Sequence, residues 1–188
     1  VSNLPEAPVG ITLDNNTVEE NLKKGTIVGN LAAIDEDAGE KHTFKLPLPE
    51  DGGAVDNQLF SLSGNTLRSA AIFDFEDRNE YRPRVRATDS GGNTLTRDIL
   101  VKVLAGNDAP TGITISGTTV MEGLPSGHLV GTLSAIDPDP DDKHTFQISG
   151  GTDSKAFSIK GDQLVTASIL DRESKAILEV SIRVIDQG

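Results

Sequence analysis

The sequence predicts an all-β chain built as two tandem Greek-key β-sandwiches of about seven strands each, the second without its last strand. Three observations carry this. First, the chain repeats itself. Pro8 to Phe44 aligns with Pro110 to Phe146 at a constant offset of 102, with 20 identities over 37 positions. The offset then becomes 97, and Phe60 to Asp89 matches Phe157 to Asp186 with 10 identities in 30. Second, apolar residues alternate within short runs, the period of strands rather than helices. Third, Gly, Asn and Asp separate those runs at the spacing expected of a sandwich.

The elements follow in order. Pro8 and Pro110 precede strands expected at Val9–Leu13 and Thr111–Ile115. In Ile27–Ile34, a strict period of two places Ile27, Leu31 and Ala33 on one face. Pro47–Gln58 is rich in Pro, Gly and Asp and reads as a loop; it takes up the five residues by which the first copy is longer. Arg84–Thr88 alternates, as does Ile99–Val103 within a last strand expected over Thr94–Leu104. The second copy stops just after Asp186, so the matching strand is expected to be absent. A neighbouring chain could donate it, since an open sheet edge seeks a partner. The expected modules are residues 1–109, with an interdomain linker at 104–109, and residues 110–188.

Composition narrows the function. The 188 residues carry 17 basic and 29 acidic side chains, a net charge of −12. Such a surface repels nucleic acid and anionic lipid and attracts cations. Aromatics make up 4 %, with no Trp, so the cores must rest mainly on Val, Ile, Leu and Ala. No stretch is apolar enough to insert in a membrane. With no cysteine, a metal becomes the leading staple for small extracellular domains.

The acids recur in register. The first copy has Glu20, Asp35-x-Asp37, Asp74-Phe75-Glu76 and Asp89. The second has Glu122, Asp137-Pro138-Asp139, Asp171-Arg172-Glu173 and Asp186. Acids in loops are usually only solvated charge, but here they hold position while other polar residues drift. Hard oxygen ligands without Cys or paired His select calcium over zinc or copper.

Together with Leu170-Asp171-Arg172-Glu173, Ala87-Thr88-Asp89-Ser90-Gly91-Gly92 and the junction Asn107-Asp108-Ala109-Pro110-Thr111, these motifs resemble cadherin repeats. The junction is closest to bacterial cadherin-like repeats. The resemblance implies that acids from two modules converge on calcium at their joint: Glu20, Asp74, Glu76, Asn107, Asp108, Asp137, Asp139 and Asp186. It implies half-sites at the outer ends, Glu6, Asp35, Asp37 and Asp89 at one and Glu122, Asp171 and Glu173 at the other. The family's linker pattern Asp-x-Asn-Asp-Asn-x-Pro is altered by Leu104, Gly106 and Asn107, which predicts one or two ions rather than three. The function expected is a calcium-rigidified structural and adhesive repeat of a large bacterial surface or secreted protein. Its partners would be neighbouring repeats and another cell-surface protein. A calcium-dependent lectin-like module binding matrix polysaccharide is the alternative, weakened by the lack of exposed aromatics for stacking. The Trp used for strand exchange in animal adhesion is absent.

Other signals are weaker. Asp137-x-Asp139-x-Asp141 begins like a helix–loop–helix calcium loop but has Asp142 where that loop needs Gly and Ile148 where it needs Glu. His42 and His144 are solitary and are expected at the surface. Asn15-Asn16-Thr17 is a glycosylation sequon. Paired acids suit a glycosidase, yet their duplication favours a structural use, and no enzyme activity is expected.

Overall fold

The computed structural model of the chain describes residues 6–37 and 39–187. The outermost ends of the two expected modules, residues 1–5 and 188, and Ala38 within the first lie outside the described residues. The chain divides into two compact units, Val1–Gly106 and Asn107–Gly188, a division that falls within the segment 104–109.

In module one, β1 (Gly10–Leu13), β3 (Ile27–Ile34), β6 (Thr66–Ser69) and β5 (Phe60–Ser63) form one antiparallel sheet in that spatial order. The opposite side is built from two ladders. One runs β4 (Thr43–Lys45), β8 (Arg84–Thr88) and β9 (Thr94–Asp98). The other runs β2 (Thr17–Glu19), β10 (Val101–Leu104) and β7 (Glu80–Tyr81), with β10 parallel to β2 and antiparallel to β7. The strand expected over Thr94–Leu104 is therefore split into β9 and β10. Pro83, between β7 and β8, has no N–H to give to a ladder, and its carbonyl accepts from Ile99 at 2.9 Å.

Module two repeats the first sheet as β11 (Gly112–Ile115), β12 (Leu129–Ile136), β15 (Gln163–Thr166) and β14 (Phe157–Lys160). Its second side holds β13 (His144–Gly150) paired with β16 (Ser181–Asp186).

Two sequence expectations are corrected. Pro47–Gln58 is not a plain loop: it carries 3₁₀ turns at Pro49–Asp51 and Val55–Leu59. Ile27 does not share a face with Leu31; it is 53 % exposed, while Val28 and Leu31 are both buried. The reason is a β-bulge between Ile27 and Gly29, which shifts the alternation by one residue. Gly29 is required there, because a Cβ would sit 2.3 Å from the Asn15 carbonyl oxygen. The Asn15 amide completes the feature by donating to the carbonyls of Thr17 and Val28, so the sequon asparagine has a structural role.

The main core of module one packs Val18, Val28, Leu67, Val101 and Val103 around three rings. Phe73 lies 5.4 Å from Phe60 and 4.6 Å from Tyr81 between centroids. Arg78 stacks over the Tyr81 ring at 4.4 Å and makes a paired hydrogen bond to the buried Asp56. Because the Tyr81 ring is buried, it offers no platform on which a sugar could stack, and a polysaccharide partner has no support here.

Candidate metal centres

Each unit carries acids at its two ends, and the same local chemistry builds them twice. The Asp-x-Asp segments follow β3 and β12, where the chain leaves the sheet. In module two, the Asp137 carboxylate turns back to accept the Asp139 N–H at 3.0 Å and binds His144 Nε2 at 2.6 Å through its other oxygen. In module one, Asp35 accepts from the Asp37 N–H at 3.0 Å and binds His42 Nε2 at 2.8 Å. Both imidazoles are largely enclosed, which corrects the surface placement expected for His42 and His144. They orient the first aspartate of each motif. The Asp35 carboxyl is held below the usual range by the Asp37 N–H and then by His42.

The residue preceding each module docks on the second aspartate. The Asp108 N–H donates to Asp139 Oδ2 at 2.6 Å, and the Glu6 N–H donates to Asp37 Oδ2 at 2.8 Å. Asn107 donates its side-chain N–H to Asp186 Oδ2 at 2.5 Å. In module one the equivalent of Asp186, Asp89, is buried and accepts from the Asn93 backbone and side chain at 2.8 and 2.9 Å.

One candidate ligand position is missing from the acids named on sequence grounds. Asp137, Asp139 and Asp142 each present an oxygen within 4.8 Å of the others, and Asp35, Glu40 and His42 do the same in module one. Asp142 and Glu40 are equivalent at the offset of 102. Each keeps one buried carboxylate oxygen with no hydrogen-bond partner, an arrangement that costs free energy unless a cation compensates it. Burial pushes the Asp142 carboxyl above its usual range, and the charges of Asp186, Asp139 and Asp137 push it further. Because acids stand there in both copies, the register could have found this pair; reading Asp142 against a different calcium motif hid it.

At the other end of module one, Glu20 is 3 % exposed. Its carboxylate accepts from the Phe75 N–H at 2.6 Å and the Gly106 N–H at 2.5 Å. Gly106 fits because a Cβ would come within 3.3 Å of Glu20 Cγ. Asp74 caps the following turn, accepting from the Asp77 N–H at 2.9 Å, and a Glu76 oxygen lies within 4.8 Å of one from Glu20. Module two repeats the set as Glu122, Asp171 and Glu173, with the Arg172 N–H donating to Glu122 at 2.8 Å, but here all three acids are exposed. Of the eight acids and amides expected at the joint, Glu20, Asp74 and Glu76 belong to one unit. Asn107, Asp108, Asp137, Asp139 and Asp186 belong to the other.

The donor set fits a hard divalent cation. It is rich in carboxylates, has no thiol, and gathers like charges around an oxygen that nothing in the protein satisfies.

Two modules with this topology and these acid motifs define a tandem pair of cadherin-type repeats. The Cadherin domain family matches residues 14–104 and 117–188, and the chain belongs to it. It is 30 % identical over 177 residues to human Protocadherin-1, covering 90 % of this chain and 16 % of that protein. It is 32 % identical over 181 residues to the Caenorhabditis elegans cadherin EGF LAG seven-pass G-type receptor fmi-1, covering 92 % of this chain and 7 % of that one. The crystal structure of the Protocadherin GammaB4 extracellular domain superposes with a TM-score of 0.61 at 25 % identity, over 100 % of this chain and 31 % of that one. The chain thus spans a small part of the relatives it matches. Cadherin domains are extracellular adhesion modules that typically bind calcium.

Proposed function

We propose that this pair of repeats is a calcium-stiffened spacer in an extracellular adhesive protein. The observation that supports it is the pairing of two complementary acid sets in one chain. Glu20, Asp74 and Glu76 lie at one end of module one. Asn107, Asp108, Asp137, Asp139 and Asp186, joined by Asp142, lie at one end of module two. In this reading the two sets share calcium, with Glu6, Asp35, Asp37 and Asp89, and Glu122, Asp171 and Glu173, serving adjoining repeats. The bacterial setting rests on the junction Asn107–Thr111 alone, since the named relatives are animal proteins.

The physical role follows from charge. Two carboxylates about 4 Å apart repel by roughly 4 kcal/mol at an effective dielectric of 20, so a dense acid set holds together only around cations. A shared ion ties residues of both modules and stiffens the joint between them. Extracellular modules bind calcium with Kd of about 0.1–1 mM. At ten times Kd each ion adds about 1.4 kcal/mol to the bound form.

The test is calorimetric titration of calcium into the protein and into Glu76→Ala and Asp139→Ala, with small-angle scattering in calcium and in chelator. Each variant should bind at least tenfold more weakly, and the protein should be more extended with calcium. Superimposable scattering profiles would sink the stiffening role. Unchanged titrations in both variants would remove the site.

A further inference from the structure

In module one, the loop that leaves β3 gathers a nitrogen donor with its oxygens. His42 Nε2 lies 2.8 Å from Asp35 Oδ2, and the two side chains are only 10 % and 4 % exposed. Glu40 completes the group. Asp35, Glu40 and His42 each present one ligand atom, all within 4.8 Å of one another. The two oxygens of Glu40 differ. Its Oε1 accepts from the Ser90 N–H at 3.1 Å and from the Ser90 hydroxyl. Its Oε2 is buried and has no hydrogen-bond partner. A carboxylate oxygen left in that state costs free energy that a cation beside it would offset.

Module two makes the same turn with different donors. The Glu40 N–H donates to the Asp37 carbonyl at 3.4 Å and the Asp142 N–H to the Asp139 carbonyl at 3.3 Å, so the backbone presents both acids alike. His144 binds Asp137 as His42 binds Asp35. Yet the close donor group there is Asp137, Asp139 and Asp142, all oxygen, and His144 is not in it. Two substitutions accompany the change. Glutamate is one methylene longer than aspartate, and it is the longer acid that joins the imidazole. Ser90, which follows Asp89 and holds Glu40, is replaced by Gln187 after Asp186. The chemistry divides accordingly. An all-oxygen group suits calcium, and an imidazole between carboxylates suits zinc.

We propose that Asp35, Glu40 and His42 form a zinc site particular to module one. Zinc bonds to histidine nitrogen and carboxylate oxygen are about 2.0–2.2 Å long, so two donors on one ion stand roughly 2.9–3.4 Å apart. His42 Nε2 and Asp35 Oδ2 need part only slightly to admit the ion. It takes the place of the hydrogen between them, and the ring then carries its hydrogen on Nδ1. Glu40 supplies the third protein bond and water the fourth, the pattern of an open zinc site. The outer partners are already in place. The Asp37 N–H holds Asp35 Oδ1 at 3.0 Å, and Ser90 holds Glu40 Oε1. Contacts of this kind orient ligands toward a metal. Asp35 also belongs to the calcium half-site proposed above, but the zinc site is argued from Glu40 and His42 and does not rest on that reading.

The test is calorimetric titration of zinc chloride into the metal-free 188-residue protein. Calcium is left out, so the outcome does not turn on the calcium sites. One ion should bind with micromolar affinity or tighter. Glu40→Gln and His42→Ala should each weaken it at least tenfold, and Glu40→Asp should do the same by shortening the reach. Ser90→Ala should weaken it about tenfold, through the loss of an outer partner. A second measurement needs no variant. In nitrogen NMR of the imidazoles, His42 Nε2 should move to the shift of a metal-bound nitrogen as one equivalent of zinc is added, while His128 and His144 stay in place. Circular dichroism checks that each variant is folded. The proposal is overturned if zinc leaves the His42 signal unmoved, or if His144 moves in step with it. It is overturned as well if folded Glu40→Gln and His42→Ala bind zinc as the wild type does.

Discussion

Module one and module two share most of their apolar positions, yet they bury them to different degrees. In module one, Val101 and Val103 of β10 close the space over Phe60, Phe73 and Tyr81, and the whole cluster is removed from water. In module two, Leu133, Leu164 and Val165 are buried, while Leu170 and Leu178 line a cleft. The same contrast appears in the acids. Glu20 is enclosed because Gly106 and the Leu104 carbonyl cover it, and Glu122 is exposed. One strand therefore does two jobs in this fold: it seals the apolar interior and buries the glutamate at the end of the module. Burial at these positions depends on β10, whose counterpart is not among the described residues of module two.

The widest difference should appear when a core side chain is truncated. Phe73→Ala removes a ring from a closed cluster and should cost about 3–5 kcal/mol of module one stability. Leu170→Ala removes a side chain that already faces a cleft, so little new cavity forms and the cost should be about 1 kcal/mol. Urea unfolding of the two variants, followed separately for each module by hydrogen exchange, measures both. Equal losses would break the comparison, since they would mean that module two is as tightly packed as module one.

The glycines at the two bulges should behave alike, because each lies in the first sheet of its own module, and both sheets have the same strand order. A Cβ at Gly29 would approach the Asn15 carbonyl oxygen to 2.3 Å, and one at Gly131 the Gly117 carbonyl oxygen to 2.5 Å. Backbone must move in each case, so Gly29→Ala and Gly131→Ala should each cost about 2 kcal/mol. A much smaller loss in module two, by the same unfolding measurement, would show that its first sheet is also loose. That result would extend the contrast beyond the cleft.

These bulges also mark where the sequence stops being legible. Strand positions and the sandwich class follow from alternation and turn residues, and the acid sets follow from register between copies. The phase of β3 does not, because a bulge at Gly29 looks like any glycine in a strand, and a strict period of two puts Ile27 on the wrong face. The burial of His42 and His144 was hidden for a related reason. A lone histidine between polar residues looks exposed until the chain folds its ring onto Asp35 or Asp137. Asp142 and Glu40 are visible as paired acids, but only the enclosure of one oxygen in each groups them with the candidate ligand acids.

The smallest expected difference lies in an ion pair that both modules keep. Asp56 is buried and takes two hydrogen bonds of 2.7 Å from Arg78 and one of 2.6 Å from the Arg82 N–H. Burial would raise its pKa, but the Arg78 guanidinium and the Arg82 N–H outweigh burial and hold it below the usual range. Its counterpart Asp153 is lowered chiefly by Lys175 and then by the Glu179 N–H, and that lysine is half exposed. A carboxyl with a lowered folded pKa stabilises the protein above its unfolded value of about 3.9, and the contribution fades as pH falls through the folded value. Asp56→Asn should therefore cost about 1.5 kcal/mol near neutral pH. The cost should shrink below about pH 4, where the carboxyl of the unfolded chain takes up its proton, and keep shrinking as pH falls through the lower folded value. Asp153→Asn should follow the same pH course with a smaller loss, because lysine contributes a point charge in water where arginine contributes a two-pronged, ring-stacked contact. Thermal unfolding of both variants from pH 3 to 7 separates the cases. A loss for Asp153→Asn as large as that for Asp56→Asn would mean that the anchoring of this pair does not depend on the closed core beside it.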